Sequence, residues 1–198
     1  MTLRVHLGGE GATELGHDPA WDDVRSAREP GLLEVVLERR HSDRFEVTGA
    51  TKWKNLKKLA APRRGRHRDV QNVLKLCQRA VDVGADVVAF TRDQDGDDGR
   101  AGAIAEGIEA ARRAFPELHV IGASATPCIE AWVLATAGEP HRRSVSAVKR
   151  RMTELHLESL AAMTRVLRDD VDGRWDDERT TGLGDFVRAA ASTFANPR

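Results

Sequence analysis

The sequence predicts an α/β fold in which a mostly parallel sheet of about four strands is flanked by helices and followed by a C-terminal helical extension. The first observation is that short apolar runs alternate with helix-like segments along the chain, which is typical of parallel sheets. The second is that residues 86–91 form a short apolar run between turn residues, the pattern of a strand buried on both faces. Sheets of this kind bind ligands at the carboxyl ends of their strands.

Local patterns in the sequence predict the other three strands and the helix before the second strand. Residues 3–7 alternate apolar and polar side chains before two glycines, and residues 45–49 and 118–122 are short segments with apolar and β-branched side chains that end at glycine. All three are expected to be strands. Residues 31–40 follow Pro30 and indicate a helix, although their β-branched side chains leave a strand open as the alternative.

Helical segments are recognised by apolar side chains three and four positions apart and by glycine or proline at their ends. Gly84 ends the first of them, Pro116 stops an alanine-rich second, and Pro127 opens the third. The expected helices cover residues 67–83, 100–115, 128–135, the region from 144 onward and 183–194. We therefore expect an α/β domain over residues 1–137 and a helical extension over residues 138–198 that packs on it.

Composition narrows the classes of protein to consider. The 198 residues include 31 Lys plus Arg and 31 Asp plus Glu, so any affinity for nucleic acid must be local. Cys77 and Cys128 lack zinc-site spacing and are expected to be reduced. The N-terminal apolar run is too short for a signal peptide, and no run of about 18 apolar residues indicates a membrane span. The expected location is the cytoplasm, without a membrane partner.

Acidic residues follow two of the predicted strands. Glu10 and Glu14 come after the first strand, and Asp93 and Asp95 come after the strand at residues 86–91. Parallel strands bring such loops to one edge, where carboxylates can hold a hard divalent cation. In an extended Asp-x-Asp segment both carboxylates also point the same way. The alternative is an ordinary solvated turn rich in Asp and Gly.

For Glu14 and Glu130, a role in the site and a purely structural role are both open. Glu14 serves either as a cation ligand or as a helix cap, and Glu130 serves either in the active site or as a favourable acid in the first helical turn. The register after Asp93 does not fit a calcium EF-hand, because Ile104 stands where the loop needs Glu. An aspartyl phosphatase remains open, but it leaves the glycine-rich loop around Glu10 without a role. The candidate catalytic residues are Glu10, Asp93, Asp95 and Glu130, and the candidate metal ligands are Glu10, Asp93, Asp95 and Glu14.

A basic segment lies between the second and third predicted strands. Residues 52–68 carry eight Lys or Arg and no acid, which indicates attraction to a phosphate backbone. Trp53 is expected to stack on an unpaired base, while a solvated basic surface is the alternative. The candidate nucleic-acid-binding residues are Lys52, Trp53, Lys54, Lys57, Lys58, Arg63 and Arg64.

These motifs together resemble the Toprim family, in particular its small stand-alone members related to nucleases of the overcoming-lysogenisation-defect type and found with anti-phage systems. The resemblance covers about residues 1–137 and rests on Gly9 to Glu14, on Asp93-Gln94-Asp95 and on Glu130-Ala131-Trp132. It implies Mg²⁺ or Mn²⁺ as cofactor, Glu10 as a metal ligand or general acid/base, and Asp93 and Asp95 as metal-holding aspartates. The chain has no tyrosine, so a topoisomerase that forms a tyrosyl-DNA link is excluded.

The expected function is therefore a Mg²⁺-dependent phosphodiester hydrolase, a nuclease with a role in phage defence. The alternative is a non-catalytic Toprim-like subunit that binds nucleic acid or a protein encoded in the same operon. A phosphatase acting on small molecules is the third candidate. Self-association through the C-terminal helices is also expected.

Overall fold

Four parallel strands form the centre of the protein in the computed structural model, which describes residues 2–16, 29–56, 67–169, 175 and 181–195. The strands are β1 (Leu3–Gly9), β2 (Phe45–Lys52), β3 (Val87–Asp93) and β4 (His119–Ala125). Their order across the sheet is β2-β1-β3-β4, and every neighbouring pair is parallel. The predicted α/β architecture with a four-stranded parallel sheet is confirmed.

Helices connect and cover these strands. The helical segments described are α1 (Ala12–Leu15), α2 (Leu32–His41), α3 (Trp53–Leu56), α4 (Arg68–Asp82), α5 (Arg100–Ala114), α6 (Glu130–Thr136), α7 (Val145–Glu154), α8 (Leu160–Arg168) and α9 (Leu183–Ala195). The segment at residues 31–40 is a helix and not a strand. It lies between the sheet and the C-terminal helices, where all of its leucines and valines are buried.

All four strands extend two or three residues further toward their carboxyl ends than the side-chain pattern predicts. The cause is backbone pairing, which continues from Gly8 and Gly9 to residues 51 and 52 and from Arg92 and Asp93 to residues 124 and 125. Glycine and charged side chains carry no apolar alternation, so these pairs leave no hydrophobic signal in the sequence. The extension brings the acidic residues directly to the sheet edge.

The sheet separates two hydrophobic clusters. One contains α2, α6 and α9 with inward residues of the strands, and it includes Trp132, Phe186 and Phe194. The other contains α4 and α5 packed over Val88 and Phe90. Helices that follow residue 137 therefore share a core with the sheet, and α9 packs directly on β4. This two-sided burial explains the continuous apolar run of β3.

The chain changes direction between β1 and β3. From β1 it passes to β2 on one side, and then it returns by way of α4 to β3 on the other side of β1. Loops that leave adjacent strands at such a switch point diverge toward opposite faces and open a crevice at the carboxyl edge. The loops that carry Glu10 and Asp93 flank this position.

Two glycines of α5 give a matched test of the packing between α4 and α5. A Cβ on Gly107 would lie 2.9 Å from Val73 Cβ, whereas a Cβ on Gly102 would meet no atom within 4 Å. We expect Gly107→Ala to lower the free energy of unfolding by about 1–3 kcal/mol through overpacking. Gly102→Ala should raise it by about 0.5–1 kcal/mol because alanine is the better helix former. Urea unfolding of both variants measures the difference, and equal effects of the same sign would contradict it.

Among the described helices, none combines the length and the apolar character needed to cross a bilayer.

Candidate functional site at the carboxyl edge of the sheet

The loop after β1 is shaped by glycine and folds back on the strand. A Cβ on Gly9 would lie 2.6 Å from Glu14 Cβ, so the close approach of α1 requires glycine there. The Glu14 carboxylate accepts a hydrogen bond of 2.9 Å from the Gly11 backbone N–H at the start of α1. Glu14 is therefore a helix cap, and it is also a buried acid with 3% of its surface exposed.

Asp93 is the last residue of β3 and is fixed from two directions. Its backbone is paired with Ala125 of β4, and its Oδ1 accepts a hydrogen bond of 2.9 Å from the Ile129 backbone N–H. Ile129 precedes α6, whose first residue is Glu130. The Trp132 indole donates to the Thr181 carbonyl at 2.9 Å and is buried, which anchors α6 and thereby the position of Glu130.

Four carboxylates from three separate segments interact at this edge. Burial, together with the negative charges of Glu14, Glu10 and Glu130, raises the pKa of Asp93 to about 8. Burial likewise raises the pKa of Glu14, with contributions from Glu10 and Glu130. Asp93 therefore lies within the electrostatic influence of the other three carboxylates, and Glu14 within that of Glu10 and Glu130. We refer to Glu10, Glu14, Asp93 and Glu130 as the acid cluster.

Asp95 does not continue the extended line of β3. The strand ends at Asp93, and Asp95 has a left-handed backbone with φ of 51°. Its N–H donates to the Pro127 carbonyl at 3.1 Å, and its carboxylate lies 3.7 Å from Arg100 Nη1 and is 48% exposed. The argument that Asp93 and Asp95 point the same way on an extended segment is therefore wrong, because the chain turns between them.

Two arginines and one buried aspartate adjoin the acid cluster. Arg92 Nη1 forms an ion pair with Glu10, and Arg92 Nε lies 3.8 Å from Asp69 Oδ1. Arg100 Nε lies 3.1 Å from Asp69 Oδ2, and Arg100 Nη1 donates to the carbonyls of Asp93 and Gln94 at 2.6 and 3.0 Å. Arg100 thus supports the backbone that follows β3. We refer to Asp69, Arg92 and Arg100 as the Asp69 network.

The Asp69 network was missed by reasoning from sequence, although one signal for it exists. Asp69 precedes Val73 by four residues and Leu76 by seven, so it falls on the apolar face of α4. An acid at such a position is buried and needs a cationic partner. The partners are not evident from the sequence, because they lie on β3 and α5.

The donor set of the acid cluster fits a hard divalent cation in its chemistry. Carboxylate oxygens are ligands that Mg²⁺ and Mn²⁺ accept. In the part of the chain that the structure describes, no three Asp, Glu, His or Cys side chains are arranged as a ready ion-binding group. Glu10 is engaged by Arg92, so a cation bound by this ligand set would take Glu10 from that ion pair.

The basic segment is only partly described. Lys52 is in register with Gly9 at the carboxyl edge, and Lys54 is exposed on α3. The prediction that Trp53 stacks on a base is wrong: its side chain is 2% exposed, and its indole N–H donates to the Thr91 carbonyl at 2.5 Å. It packs edge-on against Phe90. The predicted nucleic-acid contacts of Lys57, Lys58, Arg63 and Arg64 fall outside the described residues.

The protein has an α/β fold in which helices flank a four-stranded, all-parallel sheet. This architecture is compatible with both Rossmann-like and Toprim-like folds. In comparisons with known proteins, no family model matches the chain, and no significant match was found among curated proteins or solved structures.

Proposed function

We propose that the protein is a Mg²⁺-dependent phosphodiester hydrolase of the Toprim-like type that acts on nucleic acid. The observation that carries the proposal is the acid cluster at the β1/β3 switch point, where burial and the neighbouring carboxylates raise the pKa of Asp93 to about 8. Buried acids that repel one another are costly to ionise unless a cation compensates them. Perturbed acids in a crevice are also typical of catalytic sites.

The side chains of the acid cluster come from different elements of the fold. Glu10 and Asp93 come from the ends of adjacent strands, and Glu130 opens α6 beside them. The Ile129 N–H donates a hydrogen bond to Oδ1 of Asp93. This hydrogen bond holds the carboxyl group in one orientation. A bound divalent cation would supply an activated water and would stabilise the leaving oxygen. Asp95 remains a candidate ligand, although reaching the cluster would require its turn to rearrange.

Nucleic acid is the proposed substrate because the basic segment begins at the same edge. Lys52 is in register with Gly9, one residue before Glu10, and an exposed Lys54 follows on α3. Lysines placed there would attract the phosphate backbone toward the acid cluster. The role in phage defence is part of the proposal and depends on the motif resemblance.

Cleavage assays test the proposal. Plasmid, single-stranded DNA and RNA are incubated with the purified protein in Mg²⁺ or Mn²⁺, beside Glu10→Gln and Asp93→Asn variants. We expect cleavage that requires the cation and falls by about 100-fold or more in each variant, because a misplaced metal ligand removes the activated water. Glu117→Gln, at an exposed position before β4, is the matched control and should retain full activity.

Undiminished cleavage by Asp93→Asn would show that the activity lies elsewhere. Hydrolysis of p-nitrophenyl phosphate without hydrolysis of bis-p-nitrophenyl phosphate would instead identify the small-molecule phosphatase.

A non-catalytic binding subunit is the second candidate function. It is favoured by the ion pair that engages Glu10 with Arg92, since a carboxylate held by a guanidinium is less available to a cation. Such a subunit should bind nucleic acid equally well in Mg²⁺ and in EDTA and should leave it intact. Gel-shift assays under both conditions separate it from the hydrolase.

A further inference from the structure

The Arg92 side chain lies between Glu10 of the acid cluster on one side and the buried residues Asp69 and Trp53 on the other. It shares a face of β3 with Val88 and Phe90, which pack under α4 and α5. Its side chain is 13% exposed. Its guanidinium carbon lies 5.8 Å from the centre of the Trp53 ring, a distance at which a cation interacts with an aromatic face. An arginine buried to this extent has few positions available to its head group.

One edge of this guanidinium is held by groups that are themselves fixed. Arg92 Nε lies 3.8 Å from Asp69, whose side chain is 5% exposed. Asp69 is held in turn by Arg100 at 3.1 Å and by the Asn72 amide at 3.2 Å. Trp53 is tied to the Thr91 carbonyl. The inner edge of Arg92 therefore has little freedom to move.

The outer edge has a partner that can be exchanged. Arg92 Nη1 pairs with Glu10, whose side chain is 31% exposed, so water and ions reach this end of the ion pair. Arg92 Nε, by contrast, is buried and is attracted to Asp69 at 3.8 Å without a hydrogen bond to it. A cation that took Glu10 would leave Nη1 facing the carboxyl edge without a carboxylate. The rest of the guanidinium would still be held by Asp69 and Trp53.

Charge at the edge favours a phosphate as the next partner. The acid cluster contributes four carboxylates at this edge, so a phosphodiester bound there would need positive charge from both the cation and a side chain. A guanidinium with free N–H groups matches phosphate oxygens in charge and geometry.

We propose that Arg92 exchanges partners: it holds Glu10 when no cation is bound, and it binds a phosphate oxygen of the substrate once a divalent cation has taken Glu10. This inference rests on the proposed hydrolase site and adds a phosphate-binding residue to it. The Arg92–Glu10 ion pair then acts as a restraint that is released only by the cation.

The exchange can be followed without measuring cleavage, because Trp53 lies beside Arg92. Mg²⁺ is titrated into the wild-type protein while tryptophan emission is recorded, with a Trp53→Phe variant to subtract the other three tryptophans. We expect a saturable change that comes from Trp53 and disappears in Glu10→Gln. A Mg²⁺-dependent signal that persists unchanged in Trp53→Phe would overturn the proposed movement of Arg92.

Affinities give the second readout. Arg92→Gln removes the competitor for Glu10, so Mg²⁺ measured by calorimetry should bind about threefold more tightly, as expected for loss of a partly exposed ion pair. Dimethyl phosphate, a minimal phosphodiester, should bind about tenfold more weakly to the Mg²⁺-loaded variant than to loaded wild type. Arg112→Gln, at an exposed position of α5, is the matched control and should alter neither value.

The outcomes separate this inference from the proposed function. The expected shifts without any cleavage by wild type would reject the hydrolase and keep the exchange. Cleavage by wild type together with unchanged Mg²⁺ affinity in Arg92→Gln would reject the exchange and keep the hydrolase. Failure of wild type to bind Mg²⁺ would overturn both.

Discussion

Replacing Asp93 with asparagine should stabilise the protein at pH 9 and leave its stability nearly unchanged at pH 4. The pKa of Asp93 is raised from 3.8 to about 8 by burial and by the charges of Glu14, Glu10 and Glu130. The folded state therefore binds a proton more tightly than the unfolded state does, and stability falls as the pH rises from about 4 to about 8. Asparagine cannot ionise, and its side-chain oxygen still accepts the hydrogen bond from Ile129.

The gain should grow between pH 4 and pH 8 and then level off. One pKa unit corresponds to about 1.4 kcal/mol, so the full shift from 3.8 to about 8 sets an upper limit of roughly 6 kcal/mol. We expect a gain of about 2 kcal/mol or more. The gain stays below the upper limit because Glu14, whose pKa is also raised, can bind a proton in place of Asp93. Urea unfolding of wild type and variant across this pH range measures the difference.

Asp86 provides a control of opposite sign near the other end of β3. Burial alone would raise its pKa, but hydrogen bonds and charge from Arg4 outweigh burial and lower it. Asp86→Asn should therefore lose stability above pH 4, and the loss should vanish as the pH falls through the lowered pKa. A gain from Asp93→Asn that is the same at pH 4 and pH 9 would show that its cause is not the ionisation of Asp93.

The second large effect is expected at Asp69. Asp69→Asn should lower the free energy of unfolding by about 3–5 kcal/mol, because breaking a buried ion pair leaves its partners uncompensated. The partners are Arg92 and Arg100, whose side chains are 13% and 14% exposed. The variant keeps the shape of the side chain, so the loss reports charge and not packing.

Asp82→Asn is the matched control for Asp69, since it makes the same change at an exposed position of α4. It should change stability by no more than about 0.5 kcal/mol. Urea unfolding with an unchanged m-value measures both variants. A loss below about 1 kcal/mol for Asp69→Asn would mean that water or other groups already satisfy the two arginines.

The elements of the fold could be read from the sequence because each leaves a local pattern. The apolar run before Thr91, the apolar stripe of α4 and the prolines at residues 116 and 127 placed strands and helices close to their observed positions. The carboxyl ends of the strands were underestimated, because pairing through Gly8 and Gly9 depends on the backbone of a neighbouring strand. The order of apolar and polar side chains along one strand does not indicate which strand lies beside it.

The candidate site was predictable in its composition and not in its arrangement. Glu10, Asp93, Glu14 and Glu130 were recognised as candidates from the sequence, and the structure brings Asp93 within the electrostatic influence of the other three. Asp95 was expected to share the direction of Asp93, but its left-handed backbone turns it toward Arg100. The backbone of a turn is decided by long-range hydrogen bonds, such as that from the Asp95 N–H to Pro127.

The sequence by itself determined the α/β class, the number of strands and the acids that follow them, because burial on two faces and helix periodicity are properties of neighbouring residues. Only the tertiary structure decided the strand order, the burial of Trp53 and the contact of Arg92 with Asp69 and Glu10. Those features join residues from distant parts of the chain. Their energies depend on distance in space, which local composition does not encode.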